Sequence, residues 1–313
     1  MIGIEDVRAA AQRIGAHVRR TPVVEATQLK SPLGEIDVAL KLELLQVTGS
    51  FKARGATNRL LSMDKASLAK GVATASGGNH GIATARAAWM AGVPATIFLP
   101  SNASPAKIEK LKAWGAETRI VGSAWDQSNV AALEYVAKTG AAYFHPFADP
   151  DVVAGQGTVA LEILDQMPEV DVVLVAMGGG GLVSGIATVI KALAPKVRVV
   201  GIEAEGCPVL LNALKAGQNI GLDKITTSVA TMACARTDDA IFETVRERVD
   251  DIVLVDDEEM KKAARWLWFE MGLAADLSGA AAIAALREGR VAVRPGERVC
   301  AIVCGAGPEA IAS

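Results

Sequence analysis

The chain has 313 residues, of which 51% are hydrophobic and 21% are charged, and its formal net charge is −3. This length provides ample apolar surface for one large domain or two modest ones. The weak net charge and the lack of long basic runs argue against a nucleic-acid-binding protein and against a protein that binds an anionic membrane surface. A small molecule is therefore the expected partner.

The sequence shows no feature of export or of membrane insertion. Its first residues contain neither the basic region nor the apolar region of a signal peptide. No apolar run reaches the roughly 18 residues of a membrane span. The four cysteines, Cys207, Cys234, Cys300 and Cys304, have no CxxC or zinc-like spacing. Except for Cys304, they are interpreted as reduced core thiols, and a cytoplasmic protein is expected.

The predicted elements alternate between helices and strands. An amphipathic helix over 4–17 precedes a strand at 38–43 and a helix over 53–63. Further strands are predicted at 71–75, 95–100, 118–121, 142–144, 171–176, 197–202, 252–255 and 299–303. Further helices are predicted at 82–91, 105–114, 129–139, 155–166, 182–193, 208–214, 257–272 and 279–286. This alternation implies parallel βαβ units, and 221–240 is predicted to be a loop.

A run of glycines, Gly178 to Gly181, lies between a predicted strand and a predicted helix. Backbone N–H groups and the positive end of the helix dipole can bind a phosphate at such a turn, and side chains would block the anion. A dinucleotide-binding fold is the usual alternative, with Glu203 as the ribose-binding acid. That motif, however, should lie in the first βαβ unit of the chain. A P-loop is disfavoured too, because no Gly-Lys-Ser/Thr follows.

A lysine and a second turn complete the pattern. Lys52 lies in the stretch 48–54, after a turn and at the start of a helix-compatible run. The stretch Ser76 to Gly81 also joins a strand to a helix and exposes N–H groups suited to a carboxylate. Alone, these stretches are compatible with a surface lysine and a structural turn. Together they provide what a pyridoxal 5′-phosphate enzyme needs: an amine for the Schiff base, a phosphate site and a carboxylate site.

Four motifs resemble those of the fold-type II (tryptophan-synthase-β-like) pyridoxal phosphate enzymes, and within them the serine/threonine dehydratase and serine racemase branch. They are Ser50-Phe51-Lys52-x-Arg54-Gly55-Ala56, Ser76-x-Gly78-Asn79-His80-Gly81, Gly155-Gln156-Gly157-Thr158 and Gly178-Gly179-Gly180-Gly181-Leu182. The similarity covers nearly the whole chain in the expected order. It implies an α/β fold of two domains, each with a mainly parallel twisted sheet flanked by helices.

The resemblance also implies a division into domains. Residues 1–65 and 146–313 would form a large domain that binds pyridoxal phosphate. Residues 66–145 would form a small inserted domain that could close over substrate, with the cofactor in the cleft between the two.

The resemblance implies a role for each matching residue. Lys52 would form the Schiff base with the cofactor and then act as the base on Cα, while Phe51 would lie beside the cofactor ring. Asn79 would bind the 3′-oxygen of the ring. The residues implied to bind the phosphate are Gly178, Gly179, Gly180, Gly181 and Leu182. The residues implied to surround the substrate carboxylate are Ser76, Gly77, Asn79 and His80.

Cys304 follows the last predicted strand and matches the family position that faces the pyridine nitrogen. A neutral thiol protonates that nitrogen only weakly, so the cofactor would be a moderate electron sink. That property suits β-elimination better than transamination. The alternative interpretation of Cys304 is a buried core thiol.

The implied reaction is the deamination of a β-hydroxy amino acid, L-threonine or L-serine first, to a 2-oxo acid and ammonia. Alternative substrates are hydroxyaspartate, phenylserine and a hydroxyectoine-derived amino acid. A serine racemase and a non-catalytic sensor are competing functions. Lys52 argues against the sensor, because a pure binder needs no Schiff-base amine. The family implies a homodimer, and the sequence shows no C-terminal regulatory domain, which suggests a catabolic enzyme without amino-acid feedback control.

The sequence departs from the family pattern at Gly77 and in two further stretches. Gly77 stands where racemases of this branch carry a serine that acts as acid or base on the opposite face, which favours a dehydratase. The usual Ala-Asp-Gly loop reads Val229-Ala230-Thr231-Met232-Ala233 within the unusual segment 228–236, so the identity of the substrate stays open. The usual Glu-Pro-Ser-Gly reads Asp276-Leu277-Ser278-Gly279, with an acidic side chain that is one methylene shorter.

A cation site is uncertain. Relatives often bind a divalent cation through a glutamate and an aspartate six residues later; Glu203 fits the first ligand, but position 209 is a valine. Hard cations need several oxygen ligands, so a strong divalent site is not expected, while a monovalent or weak divalent site stays open. His17 and His145 have no partner pattern and are interpreted as structural or surface residues.

Overall fold

A computed structural model of the chain describes residues 1–101, 103–123, 125–308 and 311. The strands are β1 (Val23–Glu25), β2 (Asp37–Lys41), β3 (Val72–Ala75), β4 (Ala95–Leu99), β5 (Glu117–Ile120), β6 (Ala142–Tyr143), β7 (Val172–Ala176), β8 (Arg198–Ala204), β9 (Asp251–Val255) and β10 (Arg298–Ile302).

The α-helices are α1 (Ile4–Ile14), α2 (Lys52–Ser62), α3 (Lys65–Leu68), α4 (Asn79–Ala91), α5 (Pro105–Ala113), α6 (Trp125–Thr139), α7 (Pro150–Gln166), α8 (Gly181–Leu193), α9 (Val209–Ala216), α10 (Asp239–Arg248), α11 (Asp257–Met271) and α12 (Leu277–Arg287). Two short 3₁₀ helices, Glu43–Leu45 and Val47–Gly49, connect β2 to α2.

The larger sheet combines strands from both ends of the chain. Its order is β1-β2-β10-β7-β8-β9, and only the edge pair β1/β2 is antiparallel. Val299 of the central strand β10 pairs with Val38 on one side and with Val172 on the other. The strand β7 is buried and apolar throughout, as expected for a parallel strand covered on both faces.

The smaller sheet has the order β5-β4-β3-β6, and all of its pairs are parallel. The ends of β3, β7 and β10 lead into the stretches that begin at Ser76, Met177 and Val303. Ligands of open parallel sheets bind outside the carboxyl ends of the strands. The predicted α/β class with parallel sheets flanked by helices is confirmed.

Two main apolar cores accompany the two sheets. The larger surrounds β7, β8 and β10, and the smaller surrounds β3 and β4. Ala56 and Leu60 of α2 also belong to the smaller core, so this helix, which precedes residue 66, packs against the inserted segment. The domain boundaries at 65/66 and 145/146 remain a prediction.

The largest differences from the predicted elements are at α7 and α10. Helix α7 begins at Pro150, five residues earlier than predicted, because Asp149 accepts hydrogen bonds from the N–H groups of Asp151 and Val152 and proline is favoured in the first turn. Its interior glycines allow close packing: a side chain on Gly155 would lie 2.7 Å from the Cα of Gly55 in α2. Among the described residues, no helix is long and apolar enough to cross a membrane.

Helix α10 was missed: its first two residues fall in the predicted loop 221–240, and residues 241–248 were assigned to no element. Asp238 caps it by accepting hydrogen bonds from Ala240 and Ile241. Its buried side chains include Ile241, Phe242 and Val245, which is the spacing of an amphipathic helix. The signal was therefore present in the sequence.

Candidate active site

The turn that carries Lys52 is fixed by the end of β10. Thr48 and Gly49 both have positive φ, 68° and 87°, and they reverse the chain before α2 begins. The N–H of Phe51 donates to the carbonyl of Cys304 at 3.2 Å, and the N–H of Ala306 donates to the carbonyl of Gly49 at 2.8 Å. These contacts place Lys52 and the chain around Cys304 side by side.

The Lys52 amine has a backbone partner rather than an acidic one. Its Nζ donates to the carbonyl of Pro146 at 2.7 Å and lies 5.1 Å from the centroid of the Phe51 ring. No carboxylate in the described part of the chain forms an ion pair with it. Burial lowers the pKa of Lys52 to about 8, because little compensates the charged form.

The turn from Ser76 to Gly81 ends β3 and begins α4. The N–H of Gly78 donates to Oγ of Ser76 at 3.3 Å, and Asn79 is the first residue of the helix. The N–H groups of a first helical turn have no partners within the helix, so they are available to an anion. Gly77 has no side chain, and one placed there would meet the methyl group of Ala103 at 3.1 Å.

The Asn79 side chain contacts a buried carboxylate. Its Nδ2 donates to Oδ2 of Asp276 at 2.9 Å. Asp276 caps α12 and lies in the stretch where the sequence departs from the family pattern. The sequence provided the residue type at position 276 but not this contact, which joins parts of the chain that are 197 residues apart.

The two histidines of this region have lowered pKa values. Burial, together with the charge of Lys52, lowers the pKa of His80 to about 3 and that of His145 to about 4. The Nε2 of His80 lies 3.1 Å from the carbonyl of Phe144. The Nδ1 of His145 accepts hydrogen bonds from the N–H groups of Phe147 and Ala148. His145 therefore stabilises a turn, and both rings are neutral at pH 7.

The glycine turn between β7 and α8 is closely packed. A side chain on Gly179 would lie 2.4 Å from the ring of Phe147, and one on Gly181 would lie 2.9 Å from the Phe147 carbonyl. Gly180 has a φ of 86°, which glycine adopts at low cost. Leu182 follows in the first turn of α8. The unpaired N–H groups and the dipole of this turn suit a phosphate.

The segment from Phe144 to Phe147 joins three parts of the site. Phe144 accepts from His80, Pro146 accepts from Lys52, and Phe147 packs on the glycine turn. The sequence could not predict that this segment connects the site, because two of the three contacts use backbone carbonyls, which any residue carries. The aromatic residues His145 and Phe147, whose ring centroids lie 4.6 Å apart, are the feature of the segment that is visible in the sequence.

Cys304 is buried, and its thiol lies 3.8 Å from Oγ of Ser278. Burial and the nearby Asp276 carboxylate raise the pKa of Cys304 above the ordinary value for cysteine. The thiol is therefore neutral at physiological pH.

The unusual segment 228–236 lies between the two glycine turns. A side chain on Gly178 would meet the carbonyl of Thr231 at 3.1 Å, and one on Gly78 would meet the Thr231 methyl group at 3.9 Å. The segment is anchored at its start, where Asp257 accepts hydrogen bonds from the N–H and the hydroxyl of Ser228, both at 2.6 Å. Thr231 is thus placed between the predicted phosphate and carboxylate sites.

Glu203 is buried and binds backbone rather than other acidic groups. Its Oε1 accepts from the N–H of Leu210 and its Oε2 from the N–H of Leu211, each at 2.9 Å. Burial raises its pKa to about 7. Within the described residues, no cluster of three or more His, Cys, Asp or Glu side chains could hold a metal ion. His17 lies after α1, where its carbonyl accepts a hydrogen bond from Arg86.

The residues of the site fit pyridoxal phosphate. The amine of Lys52 lacks an acidic partner, the glycine turn suits a phosphate, and the Oγ of Ser50 and the Nδ1 of His80 are buried without a hydrogen-bond partner among the described residues. Buried polar atoms of this kind normally find a partner in the protein, in water or in a ligand. The fit rests on this amine, on the N–H groups of the glycine turn and on these open polar atoms.

Comparison with known proteins agrees with this fit. The family model described as "Pyridoxal-phosphate dependent enzyme" matches residues 14–305. An L-threonine ammonia-lyase of Thermotoga maritima is 37% identical over 305 residues, which is 97% of this chain and 75% of the relative. A phenylserine dehydratase of Ralstonia pickettii is 35% identical over 302 residues, 95% of this chain and 91% of the relative.

The structure of maize serine racemase superposes on the chain with a TM-score of 0.92 at 33% sequence identity, covering 97% of this chain and 93% of that one. The match of the family model over nearly the full length, together with relatives of this similarity, shows that the chain belongs to the pyridoxal-phosphate dependent enzymes of fold type II.

Proposed function

We propose that the chain is an ammonia-lyase that converts a β-hydroxy amino acid, L-threonine or L-serine first, into a 2-oxo acid and ammonia. The observation that carries the proposal is the Lys52 amine, which is partly buried, has no acidic partner among the described residues and has its pKa lowered to about 8. A general base is most effective when its pKa lies near the working pH. The threonine ammonia-lyase relative supports the same reaction class.

When bound, pyridoxal phosphate supplies an aldehyde for covalent linkage to an amine and a ring that accepts the electron pair of a broken Cα–H bond. We assign its covalent attachment to Lys52 and its phosphate to the N–H groups of Gly178, Gly179, Gly180, Gly181 and Leu182. Asn79 would bind the 3′-oxygen of the ring, Phe51 would lie beside the ring, and Cys304 would face its nitrogen as a neutral thiol.

The substrate carboxylate is assigned to the turn of Ser76, Gly77, Asn79 and His80. The N–H groups at the start of α4 and the dipole of that helix favour an anion at this position. His80 stays neutral because its pKa is lowered to about 3, so the carboxylate is held by N–H groups and the helix dipole rather than by an imidazolium charge. Held there, the substrate would present its Cα proton to the released Lys52 amine, which takes it.

Gly77 favours elimination over racemisation. A racemase needs a second group that returns a proton on the face opposite Lys52, and Gly77 provides no such side chain. Serine racemase remains the second candidate, because the maize serine racemase structure superposes closely on the chain. Chiral chromatography of serine after incubation with the enzyme distinguishes the two, since a racemase accumulates D-serine and an ammonia-lyase does not.

Thr231 is proposed to border the substrate side chain. Hydroxyaspartate, phenylserine and a hydroxyectoine-derived amino acid remain alternative substrates, and the phenylserine dehydratase relative supports such breadth. Thr231→Asp should lower kcat/KM for hydroxyaspartate roughly ten-fold more than for threonine, because like charges repel. The isosteric Thr231→Val should leave this ratio unchanged. An equal effect of Thr231→Asp on both substrates would contradict a place for Thr231 beside the side chain.

The central experiment is an ammonia-release assay with serine, threonine, hydroxyaspartate and phenylserine. Lys52→Ala should reduce the rate by roughly 10³-fold or more. The exposed Lys215→Ala is the matched control and should keep the wild-type rate. Binding of an amino acid without any turnover by the wild-type protein would instead support the non-catalytic sensor.

We further propose that residues 66–145 form a small domain that closes over the substrate, and that the enzyme works as a homodimer in the amino-acid catabolism of the cytoplasm. Lys110 of α5 donates to the carbonyl of Thr48 at 2.8 Å, which supports a link between the small domain and the turn before Lys52. The four cysteines are free thiols, as is usual in a reducing compartment. Light scattering coupled to size-exclusion chromatography tests the dimer.

A further inference from the structure

Asp276 has a buried carboxylate that contacts the Asn79 amide directly and approaches Cys304 through one intervening hydroxyl. Its side chain is nearly inaccessible, with 3% exposure for the residue. Oδ2 accepts from Nδ2 of Asn79 at 2.9 Å. Oδ1 accepts from Oγ of Ser278 at 2.8 Å and from the N–H of Gly279 at 2.6 Å. Both oxygens are therefore engaged.

The hydroxyl of Ser278 extends this contact to the thiol of Cys304. Since Ser278 donates its only hydrogen to Asp276, its oxygen can act only as an acceptor toward Cys304. The Cys304 thiol lies 3.8 Å from that oxygen and donates to it. The carboxylate thus orients the thiol hydrogen toward Ser278, away from any other acceptor.

Close packing fixes the position of the carboxylate. A side chain on Gly305 would lie 2.5 Å from Oδ2 of Asp276 and 3.0 Å from Nδ2 of Asn79. The N–H of Asp276 also donates to the carbonyl of Gly305 at 3.0 Å. The backbone after β10 therefore lies directly against the Asn79–Asp276 pair, and a side chain at position 305 would displace it.

We propose that Asp276 is a positioning residue that sets the orientation of both Asn79 and Cys304 toward the pyridoxal ring. This inference rests on the proposed function, in which these two residues contact the ring oxygen and the ring nitrogen. The Asp276 carboxylate accepts one of the two amide hydrogens of Asn79, which leaves the second amide hydrogen for the ring oxygen. The same carboxylate keeps the thiol hydrogen on Ser278, so the ring nitrogen receives no strong proton donor.

The aspartate at position 276, one methylene shorter than the glutamate of the family pattern, suits these hydrogen bonds. In Asp276 the carboxylate also caps α12, because Oδ1 binds the N–H of Gly279 three positions further on. A glutamate would carry the carboxylate one methylene further from its own backbone. It would retain the charge but would have to shift to keep all three hydrogen bonds.

The experiment compares cofactor binding and cofactor absorbance in Asp276→Asn, Asp276→Glu and the wild type. Titration of the apoenzyme with pyridoxal phosphate, followed by fluorescence, should show roughly ten-fold weaker binding for Asp276→Asn, because its amide presents a donor to the Asn79 donor. The pH titration of the visible absorbance of the loaded enzyme should shift as well. Asp276→Glu should recover most of both properties.

Asp256→Asn is the matched control, because Asp256 caps α11 through the N–H of Glu259 and belongs to no part of the site. It should lower the unfolding midpoint without changing cofactor affinity or absorbance. If Asp276→Asn is too unstable to purify, Ser278→Ala tests the thiol branch alone and should shift the absorbance titration.

These measurements need no turnover, so they separate the two proposals. Absence of ammonia release by the wild type would end the ammonia-lyase proposal and leave the role of Asp276 testable. Wild-type cofactor affinity and an unshifted absorbance titration in Asp276→Asn, in an enzyme that releases ammonia, would overturn the role of Asp276 alone.

Discussion

Lys52 and Arg54 lie two positions apart in the first turn of α2, where Arg54 is fully buried and Lys52 is half-buried, and their partners differ completely. Arg54 forms ion pairs with Glu43 and Glu162, each at 2.7 Å. Lys52 binds only the carbonyl of Pro146 among the described residues. Burial disfavours the charged form of both side chains. The carboxylate partners of Arg54 keep it charged, whereas Lys52 has no such partner among the described residues.

The pKa values of the two groups follow from this difference. Although burial favours the neutral form of Arg54, Glu43 and Glu162 raise its pKa above the ordinary value for arginine. Burial lowers the pKa of Lys52 to about 8, since no carboxylate in the described part of the chain compensates. Arg54 is therefore permanently charged and stabilises the fold, whereas the Lys52 amine, on the same helix, can lose its proton near neutral pH.

Further contacts of Glu43 and Glu162 enlarge the Arg54 cluster. Lys41 of β2 also pairs with Glu162 of α7, at 2.6 Å, and Thr21 donates to Glu43 at 2.5 Å. These contacts join the N-terminal segment, β2, α2 and α7 just behind Lys52. We infer that the paired charges fix the start of α2, on which the position of the Lys52 amine depends.

The largest expected effect on stability comes from removing Arg54 from its ion pairs with Glu43 and Glu162. Arg54→Met would leave the buried carboxylate of Glu43 uncompensated and should lower the free energy of unfolding by about 3–5 kcal/mol. Urea denaturation monitored by circular dichroism measures this change.

Arg20→Met is the matched control, because Arg20 forms an exposed ion pair with Asp165 and exposed pairs contribute about 0–1 kcal/mol. Equal losses of unfolding free energy in the two variants would show that the buried cluster stabilises the fold no more than a surface ion pair does. That result would contradict the structural role assigned to Arg54.

A second prediction concerns the Lys52 amine, which forms no ion pair with the described residues. The folded pKa of Lys52, about 8, lies below its ordinary value of 10.5, so below pH 8 the apoprotein carries the full cost of a buried charge. That cost disappears as pH rises from about 8 to 10.5, and stability increases in this window. Lys52→Met lacks the charge, so it should stabilise the apoprotein at pH 7 by about 1–3 kcal/mol and lose this advantage near pH 10.5.

Denaturation of both apoproteins at several pH values measures that difference. The exposed Lys215→Met should show no dependence of this kind. A constant difference between Lys52→Met and the wild type across the window would mean that the amine is not held in a neutralising environment.

The smallest expected effect concerns Glu203, a buried acid with N–H donors in place of a cation. Its folded pKa of about 7 lies above the ordinary value of 4.5, so the folded state loses stability as pH rises from about 4.5 to 7. Glu203→Gln cannot ionise. The unfolding free energy of the wild type should therefore fall relative to the variant, on the order of 1–2 kcal/mol, over this window.

The measurement is denaturation at pH 5 and pH 8, with and without EDTA. Since both oxygens of Glu203 accept backbone N–H groups, the chelator should change neither curve. A loss of stability in EDTA that depends on Glu203 would instead indicate a cation at this carboxylate.

Much of the fold could be read from local signals. The apolar run of β7, the glycine turn after it and the start of α8 were predicted within one or two residues, because burial on both faces, phosphate binding and helix initiation each select residue types over a few positions. The missed part of α7 lay before two glycines that usually disfavour a helix, and these glycines are needed for packing against α2 and α8.

The residue types available for the chemistry follow from the amino-acid sequence alone: a lysine after a turn, two glycine turns, an asparagine and a cysteine in fixed order. Which of them meet, and in what electrostatic surroundings, depends on how the chain folds. Asp276 reaches Asn79 and the Pro146 carbonyl reaches Lys52 across 197 and 94 positions. Chain folding sets such contacts through the global arrangement of strands, whereas local sequence patterns carry information about neighbours along the chain.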